Sequence, residues 1–144
     1  MLATSLLITP IGSLKSENKA VIIPPEDVVV TACQVDGKSR DCVVELITKY
    51  AKLYDVPQKL ALDIASCESG LKIDAKGDGG RAYGIYQFHK QTFKEFSVKY
   101  YKTEELADIL DYHDTEDNIK LAMWALSNNK GYHWSCYRKI VAAK

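Results

Sequence analysis

From Val43 onward, apolar residues recur at the spacing of a helix face. Val43, Val44, Leu46, Ile47, Tyr50, Ala51 and Tyr54 share one side of a 3.6-residue repeat and predict a helix with Asp41 as its candidate N-cap. Asp55-Val56-Pro57 ends that helix and opens a second, with Asp55 or Val56 at the cap and Pro57 in the first turn. Leu60, Ala61, Ile64, Ala65 and Glu68 lie along one side of the second helix, and Gly70 closes it. From Lys72 to Tyr83 the helical period disappears. Gly77, Gly79 and Gly80 predict a sharp turn or a small hairpin there. Helical patterns resume at His89–Val98, Glu104–Tyr112 and Thr115–Ser127, the last opened by acidic residues. Asn128-Asn129-Lys130-Gly131 breaks the pattern, and Trp134–Ala143 reads as a final helix. The fold class is therefore mostly α, with a small loop or β insertion after the Glu68 helix.

The first 40 residues follow other rules. Met1 to Leu14 is apolar and uncharged, too short for a membrane span, and similar to the apolar part of a secretory signal without its basic start. Residues 13 to 40 read as a linker, with an extended Val21-Ile22-Ile23-Pro24-Pro25 and a short strand or docking segment at Val28–Val30. The folded domain is expected over 41–144.

Composition narrows the function. The 144 residues suit one domain with a proper core. Nineteen basic side chains balance nineteen acidic ones, which argues against nucleic acid as partner and favours a neutral or weakly charged polymer. The cysteines, Cys33, Cys42, Cys67 and Cys136, are even in number and contain no C-x-x-C pair. Of the possible pairings, Cys33–Cys42 closes a short N-terminal loop, and Cys67–Cys136 ties the end of the Glu68 helix to the C-terminal segment. Those pairs imply an oxidising compartment, secreted, periplasmic or wall-associated. Four free thiols in a cytosolic protein is the alternative.

Glu68 is the leading candidate for chemistry. It follows the apolar run Ile64-Ala65-Ser66-Cys67 and shares a face with Leu60, Ile64 and Leu71. An apolar setting and a helix C-terminus both favour the protonated carboxyl that a general acid needs. The plainer reading is a surface or capping carboxylate. Gly77-Asp78-Gly79-Gly80-Arg81 has no Walker pattern, so nucleotide binding is excluded. Asp74 and Asp78 are candidate second carboxylates, with turn-forming roles as the plainer alternative. Ser69 has no His or Asp at the spacing of a nucleophilic triad. His89, His113 and His133 form no metal motif, and neither metal nor cofactor is expected. In Tyr132-His133-Trp134-Ser135-Cys136-Tyr137, Trp134 is assigned to packing and Tyr132 to a cleft wall.

Four stretches together resemble the lysozyme-like lytic transglycosylases. Glu68-Ser69-Gly70 matches the family's Glu-Ser signature at a helix end, and Gly84-Ile85-Tyr86-Gln87 matches its Gly-Leu-Met-Gln-like motif. Lys72-Ile73-Asp74-Ala75 stands where the family has an Asn-Pro-x-Ala type turn, with Ala75 kept and the proline absent. Asp117-Asn118-Ile119, followed by Ala122-Met123-Trp124-Ala125-Leu126, is similar to the helix that closes the family's groove. The resemblance covers about residues 41 to 140. It implies a lysozyme-like α+β domain with Glu68 catalytic and Ser69, Gly84, Tyr86, Gln87 and Asn118 binding substrate, to which the aromatic cluster adds Tyr132. The implied substrate is peptidoglycan, cut at the β-1,4 bond between N-acetylmuramic acid and N-acetylglucosamine to leave 1,6-anhydro ends. A hydrolase using Asp74 or Asp78, or a glycan-binding module that leaves the strand intact, are the alternatives. The protein is expected to act as a monomer with no integral membrane domain.

Overall fold

The computed structural model describes residues 37–143, and among these the chain is mainly helical. Expectations for the signal-like start, the linker, Val28–Val30 and Cys33 lie outside the described residues. Helix α1 runs Arg40–Leu53 and α2 runs Gln58–Ser69. Three two-residue strands follow, β1 Lys76–Gly77, β2 Ala82–Tyr83 and β3 Phe88–His89. Then come α3 Lys90–Tyr101, α4 Glu104–Ala107, α5 Thr115–Ser127 and α6 Ser135–Ala142.

Each helix boundary has a local cause. Ser39, not Asp41, caps α1, its Oγ accepting the Cys42 N–H at 3.1 Å. Asp41 lies in the first turn instead, where an acid suits the helix dipole. Pro57 occupies the N-cap of α2 rather than its first turn, with no side-chain cap bond. Gly70 ends α2 in the left-handed conformation, φ 63°. The helix expected over Glu104–Tyr112 stops at Ala107. Beyond it, aspartates offer the backbone other partners: Asp117 accepts from Asp111 N–H, and Asp111 accepts from His113 N–H, both at 2.9 Å. Asp114 then caps α5 by accepting the Asp117 N–H.

Helix α5 is the central pillar. Asn118, Ile119, Leu121, Ala122, Met123 and Ala125 are all buried. It packs on α1 and α3, while α2 packs on α1 and α6. Two α1 side chains reach α5 at one point: Lys49 Nζ and Tyr50 Oη both donate to Glu116 Oε1, at 3.0 and 2.5 Å. The strands form one antiparallel sheet ordered β1-β2-β3, with Lys76 opposite Tyr83 and Ala82 opposite His89. Tyr112 clamps the sheet from outside, its hydroxyl donating to Phe88 O at 2.7 Å. Phe88 turns inward from β3 and meets Phe93, Phe96 and Trp134 edge-on, with centroids 5.3–6.1 Å apart. The sheet is thereby fixed to α3 and to Trp134 at the start of α6.

Candidate active site

Glu68 is the penultimate residue of α2 and is half-buried. Its Oε1 accepts the backbone N–H of Cys136 at 3.1 Å. Cys136 is the second residue of α6, whose own N-cap, Trp134, supplies no side-chain cap bond. Glu68 therefore satisfies from another helix an amide that α6 cannot satisfy itself. The neighbouring residue makes the same connection covalently. Cys67 and Cys136 form a disulfide with 5.9 Å between their Cα atoms. Among the described residues Oε2 of Glu68 has no protein hydrogen-bond partner, so the carboxylate is anchored at one oxygen and available at the other. Cys42 is also disulfide-bonded, and its expected partner, Cys33, lies outside the described residues.

The Gly84–Gln87 turn stands against this edge through a dense polar network. Asn118 is 1% exposed. Its Oδ1 accepts the Tyr86 N–H at 3.0 Å, and its Nδ2 donates to Tyr83 O at 3.3 Å. Gly84, at φ 80°, is what lets Asn118 in, since a Cβ there would lie 2.7 Å from Asn118 Nδ2. Tyr86 is fully buried. Its hydroxyl donates to Ala61 O in α2 at 2.9 Å, and Trp134 Nε1 donates to Tyr86 O at 2.6 Å. Burial pushes the Tyr86 phenol well above its ordinary value, so it stays neutral and can donate. Through this one residue the turn is tied to α5, to the helix carrying Glu68 and to the start of α6.

These contacts correct two expectations. Tyr86 presents no stacking face to a sugar, because its ring lies in the core against Trp134. Asn118 offers no free amide to a ligand, because both ends of that amide hold backbone. A buried apolar-plus-polar residue and a groove residue look alike in sequence, and only the packing separates them. Trp134 packs as expected, 4% exposed.

Gln87 is half-buried, with a left-handed backbone at φ 45°. Its Nε2 donates to Ala75 O at 3.0 Å and to Gly84 O at 2.8 Å. Its Oε1 crosses Gly77 so closely that a Cβ at that position would lie 2.3 Å away. Gln87 also borders an open cleft whose other walls are Phe88, His89, Thr92, His133 and Trp134. Tyr132 is 64% exposed in the turn that supplies His133, its ring edge-on to Tyr137. Ser69 Oγ donates back to Ala65 O at 3.1 Å, within its own helix. Asp74 is exposed. Both oxygens of Asp78 are engaged, Oδ1 by Arg81 Nη2 at 2.8 Å and Oδ2 by His89 Nε2 at 3.2 Å.

Sequence reasoning missed the Cys136 amide, which as a backbone group has no sequence signature. It also missed His89, Thr92 and His133 as cleft walls. Their convergence comes from β3 lying beside the turn before α6, and no spacing rule encodes that. Among the described residues no cluster of His, Cys, Asp and Glu is arranged to hold a metal, and no helix is long and apolar enough to cross a membrane.

No curated protein and no solved structure matches the chain. A family model does: the transglycosylase SLT domain matches residues 45–143, from within α1 to the end of α6. The match contains Glu68, the Gly84–Gln87 turn, Asn118 and both cysteines of the Cys67–Cys136 bridge. It extends over more than half of the sequence, and the chain belongs to the SLT-domain transglycosylase family, a family of lytic transglycosylases that act on peptidoglycan.

Proposed function

We propose that this protein cleaves the β-1,4 bond between N-acetylmuramic acid and N-acetylglucosamine, with Glu68 as its single acid–base group. Glu68 protonates the bridging oxygen as the bond to C1 of the muramyl residue breaks. The carboxylate so formed takes the proton from that residue's 6-hydroxyl, whose oxygen closes onto C1. One carboxyl thus gives a proton and recovers one, and the product is a 1,6-anhydro sugar. The nucleophile belongs to the substrate, so no second carboxylate is needed to aim water.

The half-anchored carboxylate of Glu68 is the observation that carries this reading. A bond to Oε1 fixes the group while Oε2 remains for a proton transfer. Asp78 is exposed and its Oδ1 is held by Arg81, which makes it the weaker candidate for a second carboxylate. Gln87 and the cleft beside it are assigned to glycan contact, with exposed Tyr132 as an apolar platform for a sugar face. Ser69 keeps a lone-pair side free for a sugar hydroxyl next to Glu68. Gly84, Tyr86 and Asn118 hold the turn in place. The bridged cysteines support work in an oxidising compartment, secreted or periplasmic, where peptidoglycan is found.

Digestion of purified peptidoglycan followed by mass analysis of the muropeptides tests the proposal. Anhydromuropeptides are expected from the native protein and none from Glu68→Gln. Reducing ends without anhydro products would indicate a hydrolase. Binding without cleavage would indicate a glycan-binding module.

A further inference from the structure

We infer that the Cys67–Cys136 disulfide is a positioning device for the reaction, holding the Cys136 amide against Glu68 Oε1 and thereby aiming the carboxylate. The inference rests on Glu68 being the catalytic acid. Cys67 directly precedes Glu68, and Cys136 provides both the partner sulfur and the amide that binds Glu68. The gap between the end of α2 and the start of α6 is thus set twice within a single residue step. Neither contact can shift without the other.

Elementary side-chain physics gives the bond its importance. A glutamate has three free torsions, and one hydrogen bond at Oε1 selects among its rotamers. Holding Oε1 narrows the positions that Oε2 can take. Proton transfer to a bridging oxygen tolerates little misplacement, and an error near 1 Å can cost about 100-fold in rate. Helix α6 has eight residues, too few to be stable alone, so its first turn stays where tertiary contacts hold it.

Those contacts separate positioning from folding. Trp134, two residues before Cys136, is buried and hydrogen-bonded to Tyr86 O. With the bridge open, Trp134 still docks the start of α6, and the Cys136 amide becomes free to drift from Glu68. Cys67 is exposed, so a soluble thiol can reach the bridge. Cys67 and Cys136 are therefore positioning residues, acting through Glu68.

The test compares native protein with Cys67→Ser/Cys136→Ser on soluble glycan strands, below the melting temperature of both. Tryptophan fluorescence and near-UV circular dichroism define the folded fraction. We expect kcat per folded molecule to fall about 10- to 100-fold with KM little changed. A comparably destabilised control in the core between α4 and α5, Leu110→Ala, should keep its kcat. If the double variant does not fold, brief dithiothreitol treatment of native protein gives the same answer. Each dithiol passes two electrons and two protons to a disulfide, leaving two thiols and a cyclic disulfide. Peptide mapping follows which bridge has opened. Loss of kcat in step with opening of Cys67–Cys136, before near-UV ellipticity changes, supports the inference. Unchanged kcat with that bridge open overturns it, and so does loss of activity only together with the fold. An active Glu68→Gln would instead overturn the reading beneath it.

Discussion

Asn118 and Glu68 are both polar side chains that cross to the backbone of another element, and they end in opposite states. Asn118 is buried, with its amide committed at both ends to Tyr86 and Tyr83. Glu68 is half-buried, with one oxygen on Cys136 and the other free of protein partners among the described residues. The first has no capacity left for a ligand, and the second keeps the capacity a reaction needs. A motif therefore mixes two kinds of residue. Gly84, Tyr86 and Asn118 hold the turn, and Glu68 is the proposed acid.

Glu68→Gln tests the proposed acid and should show the largest effect. The amide retains an oxygen for the Cys136 N–H but cannot supply an acidic proton. Turnover of peptidoglycan should fall at least about 10²- to 10⁴-fold. Stability should stay within about 0.5 kcal/mol of native in urea unfolding. Appreciable residual activity would leave Glu68 on the structural side of the comparison.

The turn should respond the other way. Asn118→Ala leaves the buried Tyr86 N–H without its partner, removes a bond to the part-buried Tyr83 carbonyl, and should cost about 1–3 kcal/mol. Gly84→Ala puts a Cβ into the Asn118 amide at positive φ and should cost about 2 kcal/mol. Combined, the two should cost less than their sum, because removing the amide removes the clash. Full additivity in denaturant titrations would mean that the Gly84–Asn118 contact does not determine the fit.

Glu116 supplies the smallest effect. Burial opposes its charge, but hydrogen bonds from Tyr50 and Lys49 outweigh burial and hold its carboxyl below the usual value. The folded state thus favours the ionised form. That stability is present above the unfolded carboxyl value near about 4.3 and is lost as pH falls through the lower, folded value. The side chain is 44% exposed, so solvent screening limits the contribution to about 1 kcal/mol or less. Native protein should exceed Glu116→Gln in stability at neutral pH, and the gap should close in acid. A gap that widens in acid would contradict the ion-pair account.

The helical frame was largely legible in the sequence. Periodicity located the helix at Thr115–Ser127 with its true bounds, and Gly70 marked the end of α2. Local competition from side chains is harder to read. Asp108 and Asp111 look compatible with a helix extending to Tyr112, yet the carboxylates of Asp117 and Asp111 capture the backbone amides of Asp111 and His113, and the helix ends early. At the candidate site, the sequence singled out Glu68 by its motif and its apolar neighbours. The burial of Tyr86 was not, because a tyrosine's hydroxyl suits a groove and a satisfied core equally well. The Ala61 carbonyl that decides between them comes from a helix 25 residues away.

The clamp formed by Tyr112 also has a consequence in time. Strands of two residues cannot hold together by their own pairing. The ladder contacts are short in sequence, but the hydroxyl that secures them donates to Phe88 O across 24 residues. The Tyr112 bond can form only after the segment before α5 has docked, so full closure of the sheet is expected to come late in folding. Native amides should report the reverse order. Those of the sheet should exchange with deuterium through local opening, well ahead of the buried turns of α5, whose exchange awaits global unfolding.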